Sequence, residues 1–128
     1  MKNLKYLSFL LVLSVLFSCS QEASSQVNNL ALNDFVETYK NTENAQLLDV
    51  RTPGEWNAGK IQSSALINYN DPAFAKNIEK LDKSKPVFVY CAVGGRSARA
   101  AQVLNKAGFK VYNLTGAGYG QLAQKGLK

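Results

Sequence analysis

Apolar positions along the chain switch repeatedly between the period of a strand and that of a helix, and the switching lays out the fold. Leu32, Phe35, Val36 and Tyr39 fall at i, i+3, i+4 and i+7, one face of a helix that must cover a sheet. Gln46 to Val50 reads as a short apolar strand. It runs into Thr52-Pro53-Gly54-Glu55, where Thr52 can cap a helix, Pro53 suits its first position and Glu55 completes a capping box. Ala65 to Ile67 is a weak third strand, and Asp71-Pro72 opens a helix whose Phe74, Ile78 and Leu81 share one face. Pro86 to Tyr90 is the most apolar strand. After it, Ser97 to Ala107 predicts an alanine-rich helix stopped by Gly108, and Phe109 to Leu114 a last strand before Thr115-Gly116-Ala117-Gly118 and a short terminal helix. This order predicts an α/β fold, a parallel sheet with helices on both faces. Such sheets bind ligands at the carboxyl ends of their strands. There is no internal repeat.

The first residues do not fit that scheme. Lys2 and Lys5 precede an apolar run from Tyr6 to Phe17, too short to cross a bilayer as a stable helix but suited to the apolar region of a secretory signal. The run ends in Leu16-Phe17-Ser18-Cys19, which resembles the lipobox of bacterial lipoproteins, although Phe17 is bulkier than that motif usually shows. A signal cut elsewhere would leave Cys19 incidental, whereas lipidation explains its position. The expected organisation is a signal peptide at 1–18, a lipidated tether at 19–29 that is small, polar and without periodicity, and one domain at 30–128. The expected location is the cell envelope, with the membrane reached through a lipid anchor.

Removing residues 1–18 takes away two lysines and no acid, so the formal charge falls from +6 to +4. That excess carries no dense basic run and no basic and aromatic interleaving, which argues against a nucleic-acid partner. The chain has no histidine, so a Cys-His dyad, a Ser-His-Asp triad and the usual imidazole metal sites are excluded. No metal and no cofactor is called for. Of the two cysteines, a lipidated Cys19 would leave Cys91 without a disulfide partner in an oxidising setting.

Cys91 ends the most apolar strand and is followed by Ala92-Val93-Gly94-Gly95-Arg96-Ser97, a glycine-bearing loop that leads into a helix. Glycines let the backbone curl tightly, and free N–H groups at a helix start form a donor-rich anion site that favours thiolate over thiol. A thiol of lowered pKa is a nucleophile at neutral pH. Arg96 offers a planar set of donors for an anionic substrate. The plain alternative is a buried strand cysteine beside an ordinary turn, which the arginine and the helix start make the weaker reading. Asp49 and Arg51, at the end of an earlier strand, read as a structural pair supporting the neighbouring loop rather than as catalytic acid and base. Trp56 and Tyr90 read as packing residues.

From Leu30 to Lys128 the chain resembles the rhodanese-like domain in its single-domain sulfurtransferase form. The resemblance rests on Leu47-Leu48-Asp49-Val50-Arg51-Thr52-Pro53-Gly54-Glu55-Trp56, on Ala58-Gly59-Lys60-Ile61 with Ala65-Leu66-Ile67-Asn68, on Cys91 to Ser97, and on Ala107-Gly108-Phe109-Lys110-Val111-Tyr112-Asn113-Leu114-Thr115-Gly116. It implies that Cys91 takes sulfane sulfur from a small sulfur-containing anion or a persulfide, holds it as a persulfide among the amides of Ala92 to Ser97, and passes it to a thiol or another acceptor. Lys60 stands where the family commonly has histidine. Ala92 stands where many thiosulfate-using members carry arginine, which implies weaker thiosulfate binding and favours a persulfide or polysulfide donor. Gly118-Tyr119 replaces a frequent tryptophan, a matter of packing. Two other classes stay in view. One is a tethered, non-catalytic sulfur carrier or binding module; the other is a phosphatase or arsenate reductase. The latter loops hold one residue more than the four between Cys91 and Arg96, and no aspartate general acid is evident.

Overall fold

A computed structural model describes residues 26–128; the expected signal segment 1–18, Cys19 and most of the expected tether lie outside the described residues. Strands β1 (Asn28–Leu30), β2 (Gln46–Asp49), β3 (Ala65–Leu66), β4 (Val87–Tyr90) and β5 (Val111–Leu114) alternate with helices α1 (Leu32–Asn41), α2 (Pro53–Ala58), α3 (Phe74–Asn77), α4 (Gly95–Lys106) and α5 (Tyr119–Ala123). The strands form one sheet in the order β1-β5-β4-β2-β3, and every neighbouring pair is parallel. The expected α/β class and parallel sheet are therefore present.

Burial on both faces explains why β2 and β4 are apolar without alternation. Val87 and Val89 of β4 join Leu48 of β2, Phe74 of α3, and Ala100, Ala101 and Leu104 of α4 on one side. Phe88 and Tyr90 join Leu47, with Phe35 and Val36 of α1 and Leu122 of α5, on the other. Phe88 anchors that second layer. Its ring stacks on Tyr112 at 4.5 Å and meets Phe35 and Tyr39 edge-on at 5.4 and 5.3 Å.

Strand order also decides where a ligand can sit. From β2 the chain crosses through α2 to β3 on one side, and from β4 it crosses through α4 to β5 on the other. The loops leaving β2 and β4 therefore diverge, which opens a crevice at their carboxyl ends. Cys91 directly follows β4 at that crevice.

Three boundaries differ from expectation. The fold begins at β1, two residues ahead of Leu30, because backbone pairing with β5 places Asn28 beside Tyr112 and Asn29 beside Asn113. The Asn113 amide donates to Asn29 Oδ1 at 2.9 Å, so the polar composition of β1 is satisfied at the sheet edge. Next, the helix expected from Asp71-Pro72 starts at Phe74, since Asp71 Oδ1 accepts from the Ala73 amide at 2.8 Å and holds a turn there. It tightens after Asn77 into a 3-10 turn at Ile78–Lys80. Finally, α4 begins at Gly95 rather than at Ser97, because Gly94 adopts the left-handed conformation (φ 100°) and serves as its N-cap. Among the described residues no helix is long and apolar enough to cross a membrane.

Candidate active site

The loop after β4 wraps around one sulfur atom. Cys91 is 1% exposed, and its Sγ accepts the Gly94 N–H at 3.0 Å and lies 3.5 Å from the Ser97 hydroxyl oxygen. The Ser97 hydroxyl also reaches the Gly94 carbonyl at 3.2 Å. That geometry suits both protonation states: a thiol donates to Ser97 Oγ while Ser97 donates to Gly94, and a thiolate receives the serine proton instead. Burial pushes the Cys91 thiol up, but the Ser97 hydroxyl and the amides of Ser97, Val93 and Gly94 outweigh it and hold the pKa below the ordinary value. The site can therefore keep an anionic sulfur without a directly bonded cation.

Arg96 points elsewhere. Its Nη1 and Nη2 donate to Glu55 Oε2 and Oε1, each at 2.7 Å, a two-pronged ion pair between α4 and α2. Glu55 is held from its own side as well, because its Oε2 accepts from the Thr52 amide and hydroxyl, each at 2.9 Å, in the capping box that starts α2. The Arg96 guanidinium, with help from the Thr52 donors and against burial, brings the Glu55 carboxyl down to about 2. The pair stays charged at every ordinary pH.

Behind the loop, Arg51 and Asp49 form a buried pair, 4% and 0% exposed. Arg51 Nη2 donates to Asp49 Oδ2 and to the Gly59 carbonyl, both at 2.8 Å, and Nε lies 3.0 Å from each Asp49 oxygen. The guanidinium also stacks over the Tyr119 ring, 3.7 Å from its centre. Burial works against the Arg51 charge, yet Asp49 prevails and raises its pKa.

The segment after β5 closes the site from below. The Tyr119 amide donates to the Cys91 carbonyl at 2.8 Å, and Gly118 packs so tightly beneath the loop that a Cβ there would overlap the Ala92 carbonyl. Only glycine fits.

Of the residues singled out in the sequence, Cys91, Val93, Gly94 and Ser97 gather around the sulfur through side chain or amide. Ala92 is half-buried over Gly118, Gly95 opens α4, and the Val93 side chain stands 82% exposed. Asp49 and Arg51 lie behind the loop, and Trp56 and Lys60 make no hydrogen bond to it among the described contacts. Tyr90 is buried, bonds Ser64 through its hydroxyl at 2.7 Å, and is held protonated by burial. Sequence reading missed the reach of Glu55 to Arg96, the close approach of Gly118 and the Tyr119 stack. The Glu55 spacing after Thr52 signalled only a helix cap, and nothing local ties it to a residue 41 positions on.

Comparison with known proteins gives the class. The family model described as the rhodanese-like domain matches residues 32–120, and the chain belongs to that family. It is 34% identical to a putative mitochondrial thiosulfate sulfurtransferase of Schizosaccharomyces pombe, over 80% of this chain and 85% of that protein. An uncharacterized protein of Bacillus subtilis is 44% identical, but the chain spans 56% of its length, and it spans 26% of a tRNA uridine(34) hydroxylase of Pelagibacter ubique that is 38% identical. Among solved structures, the rhodanese-related protein of Thermoplasma volcanium matches with a TM-score of 0.65 at 28% identity, over 79% of this chain and 95% of that one.

Two expectations follow from the geometry. Gly118→Ala forces the Ala92 carbonyl away and costs about 1–3 kcal/mol of stability; denaturant unfolding of the variant measures it, and an unchanged midpoint would contradict the packing described. Reaction of Cys91 with a neutral thiol reagent depends on thiolate, so its midpoint falls below that of a free cysteine, and Ser97→Ala, which removes a donor, moves that midpoint up. Rate-pH profiles of both proteins read the shift, and coincident profiles would remove Ser97 from the site.

Proposed function

We propose that the chain is a sulfurtransferase that moves sulfane sulfur through a persulfide on Cys91. The observation that carries this reading is the amide cradle, with the Gly94 N–H 3.0 Å from a buried thiol whose pKa is lowered. Relatives named thiosulfate sulfurtransferase, such as those of Schizosaccharomyces pombe and Shewanella oneidensis, support it. The Cys91 thiolate attacks the outer sulfur of a donor R–S–S⁻, the S–S bond breaks, and R–S⁻ leaves while the cysteine becomes the perthiolate Cys–S–S⁻. An acceptor thiolate then attacks the outer sulfur, takes it as its own persulfide and returns Cys91 to thiolate. With thiosulfate, the same attack yields a Cys91 perthiolate and releases sulfite. The loop amides receive one unit of negative charge in either state. Phosphate chemistry is disfavoured because the loop is short and the guanidinium that would grip phosphate is bound to Glu55.

The test is intact mass after exposure to a polysulfide. The wild-type domain gains one sulfur atom and loses it to an acceptor thiol with turnover, whereas Cys91→Ser gains none and turns over at background while keeping its circular dichroism. A sulfur gain in Cys91→Ser overturns the mechanism. Release to a single protein partner without small-molecule turnover would make the chain a carrier.

We also propose that the protein is exported and anchored in the cell envelope through lipid on Cys19, on the strength of Lys2, Lys5, the run from Tyr6 to Phe17 and small Ser18. Two or more acyl chains hold a protein to a bilayer far more firmly than one. Cells expressing wild type incorporate labelled fatty acid into a membrane-bound product, and Cys19→Ala abolishes the label. An unlabelled, soluble wild-type protein would show that the segment is an ordinary cleaved signal.

A further inference from the structure

We infer that Glu55 sets the donor selectivity of the site: by neutralising Arg96 it leaves the mouth without a free cation, so the site takes sulfur from a singly charged organic persulfide in preference to the thiosulfate dianion. This inference rests on the sulfurtransferase reading. The residues that line the loop, Ala92 to Gly95, carry no charge. Both terminal nitrogens of Arg96 are committed to Glu55, and Arg51 is buried on Asp49. Arg99 sits one turn further along α4 and is exposed, where water and salt screen it. A dianion entering this crevice would lose hydration and meet the loop amides and the Ser97 hydroxyl, with the nearby Arg96 charge offset by Glu55. A persulfide on an alkyl carbon carries its single charge on the sulfur that the cradle receives, and its carbon can rest on the exposed Val93 side chain at the mouth.

Glu55 is suited to the task because it does not depend on Arg96 for its position. The Thr52 amide and hydroxyl fix its carboxylate on the first turn of α2. Glutamine serves equally in a capping box, so Glu55→Gln keeps α2 capped while leaving one positive charge of Arg96 uncompensated. A purely structural role would leave the relative use of two donors unaltered.

The experiment compares kcat/KM for thiosulfate and for the hydropersulfide of β-mercaptoethanol, whose only charge is on the persulfide. Wild type favours the hydropersulfide, and Glu55→Gln raises the thiosulfate-to-hydropersulfide ratio by about tenfold, the effect of one unit charge a few ångström away across a water-filled mouth. The same ratio in both proteins, or a wild type that prefers thiosulfate, overturns the inference. A second measurement needs no variant: alkylation of wild-type Cys91 by iodoacetate relative to iodoacetamide, normalised to the same ratio for free cysteine. A normalised ratio at or below one supports an uncharged mouth, and a ratio well above one reveals a free cation and overturns it. Failure of both donors to load wild-type protein defeats the sulfurtransferase reading instead, and the alkylation ratios still decide the charge of the mouth.

Discussion

The architecture of the site depends on the buried Arg51 guanidinium. It binds Asp49 at the end of β2, the Gly59 carbonyl just beyond α2, and the face of Tyr119 at the start of α5. Each contact continues toward the loop after β4. Tyr119 holds the Cys91 carbonyl through its amide, and α2 carries Glu55, which holds Arg96. One side chain thus fixes the two supports on which both ends of the sulfur-binding loop rest. A pair so fully desolvated adds little to stability on balance, yet losing one partner strands the other charge and costs about 3–5 kcal/mol. Its role is to specify where three elements meet.

Much of this was legible in the chain because local chemistry and tertiary packing agree. The apolar runs at Gln46 to Val50 and Pro86 to Tyr90 are strands buried on both faces, and Thr52, Pro53 and Glu55 start α2 as their types require. The thiol at the end of the most apolar strand lies where the topology opens its crevice. The unread parts are those set by distant partners. Asn28 and Asn29 have no strand-like alternation, and they are extended because β5 offers them a ladder. Gly118 looked like one more turn glycine, whereas its lack of a side chain is required by a carbonyl from a loop 26 positions earlier, counting from Ala92. Arg96 was read as a substrate-facing cation from its place in the loop, and the structure turns it to Glu55. No local pattern encodes that choice.

A site built from amides rather than cations matches what sulfur transfer asks of it. The cysteine passes between thiolate and perthiolate, each with one negative charge, so the stabilising field need not change during the cycle. Fixed N–H dipoles supply that field without reorganisation, and exclusion of water around the Cys91 sulfur strengthens them. A free cation at the mouth would attract a dianionic donor and a dianionic leaving group alike, which deepens binding at both ends without lowering the barrier between them. With Arg96 held by Glu55, attraction is concentrated on the sulfur being transferred, at the bottom of the loop where the Gly94 amide and the Ser97 hydroxyl already point.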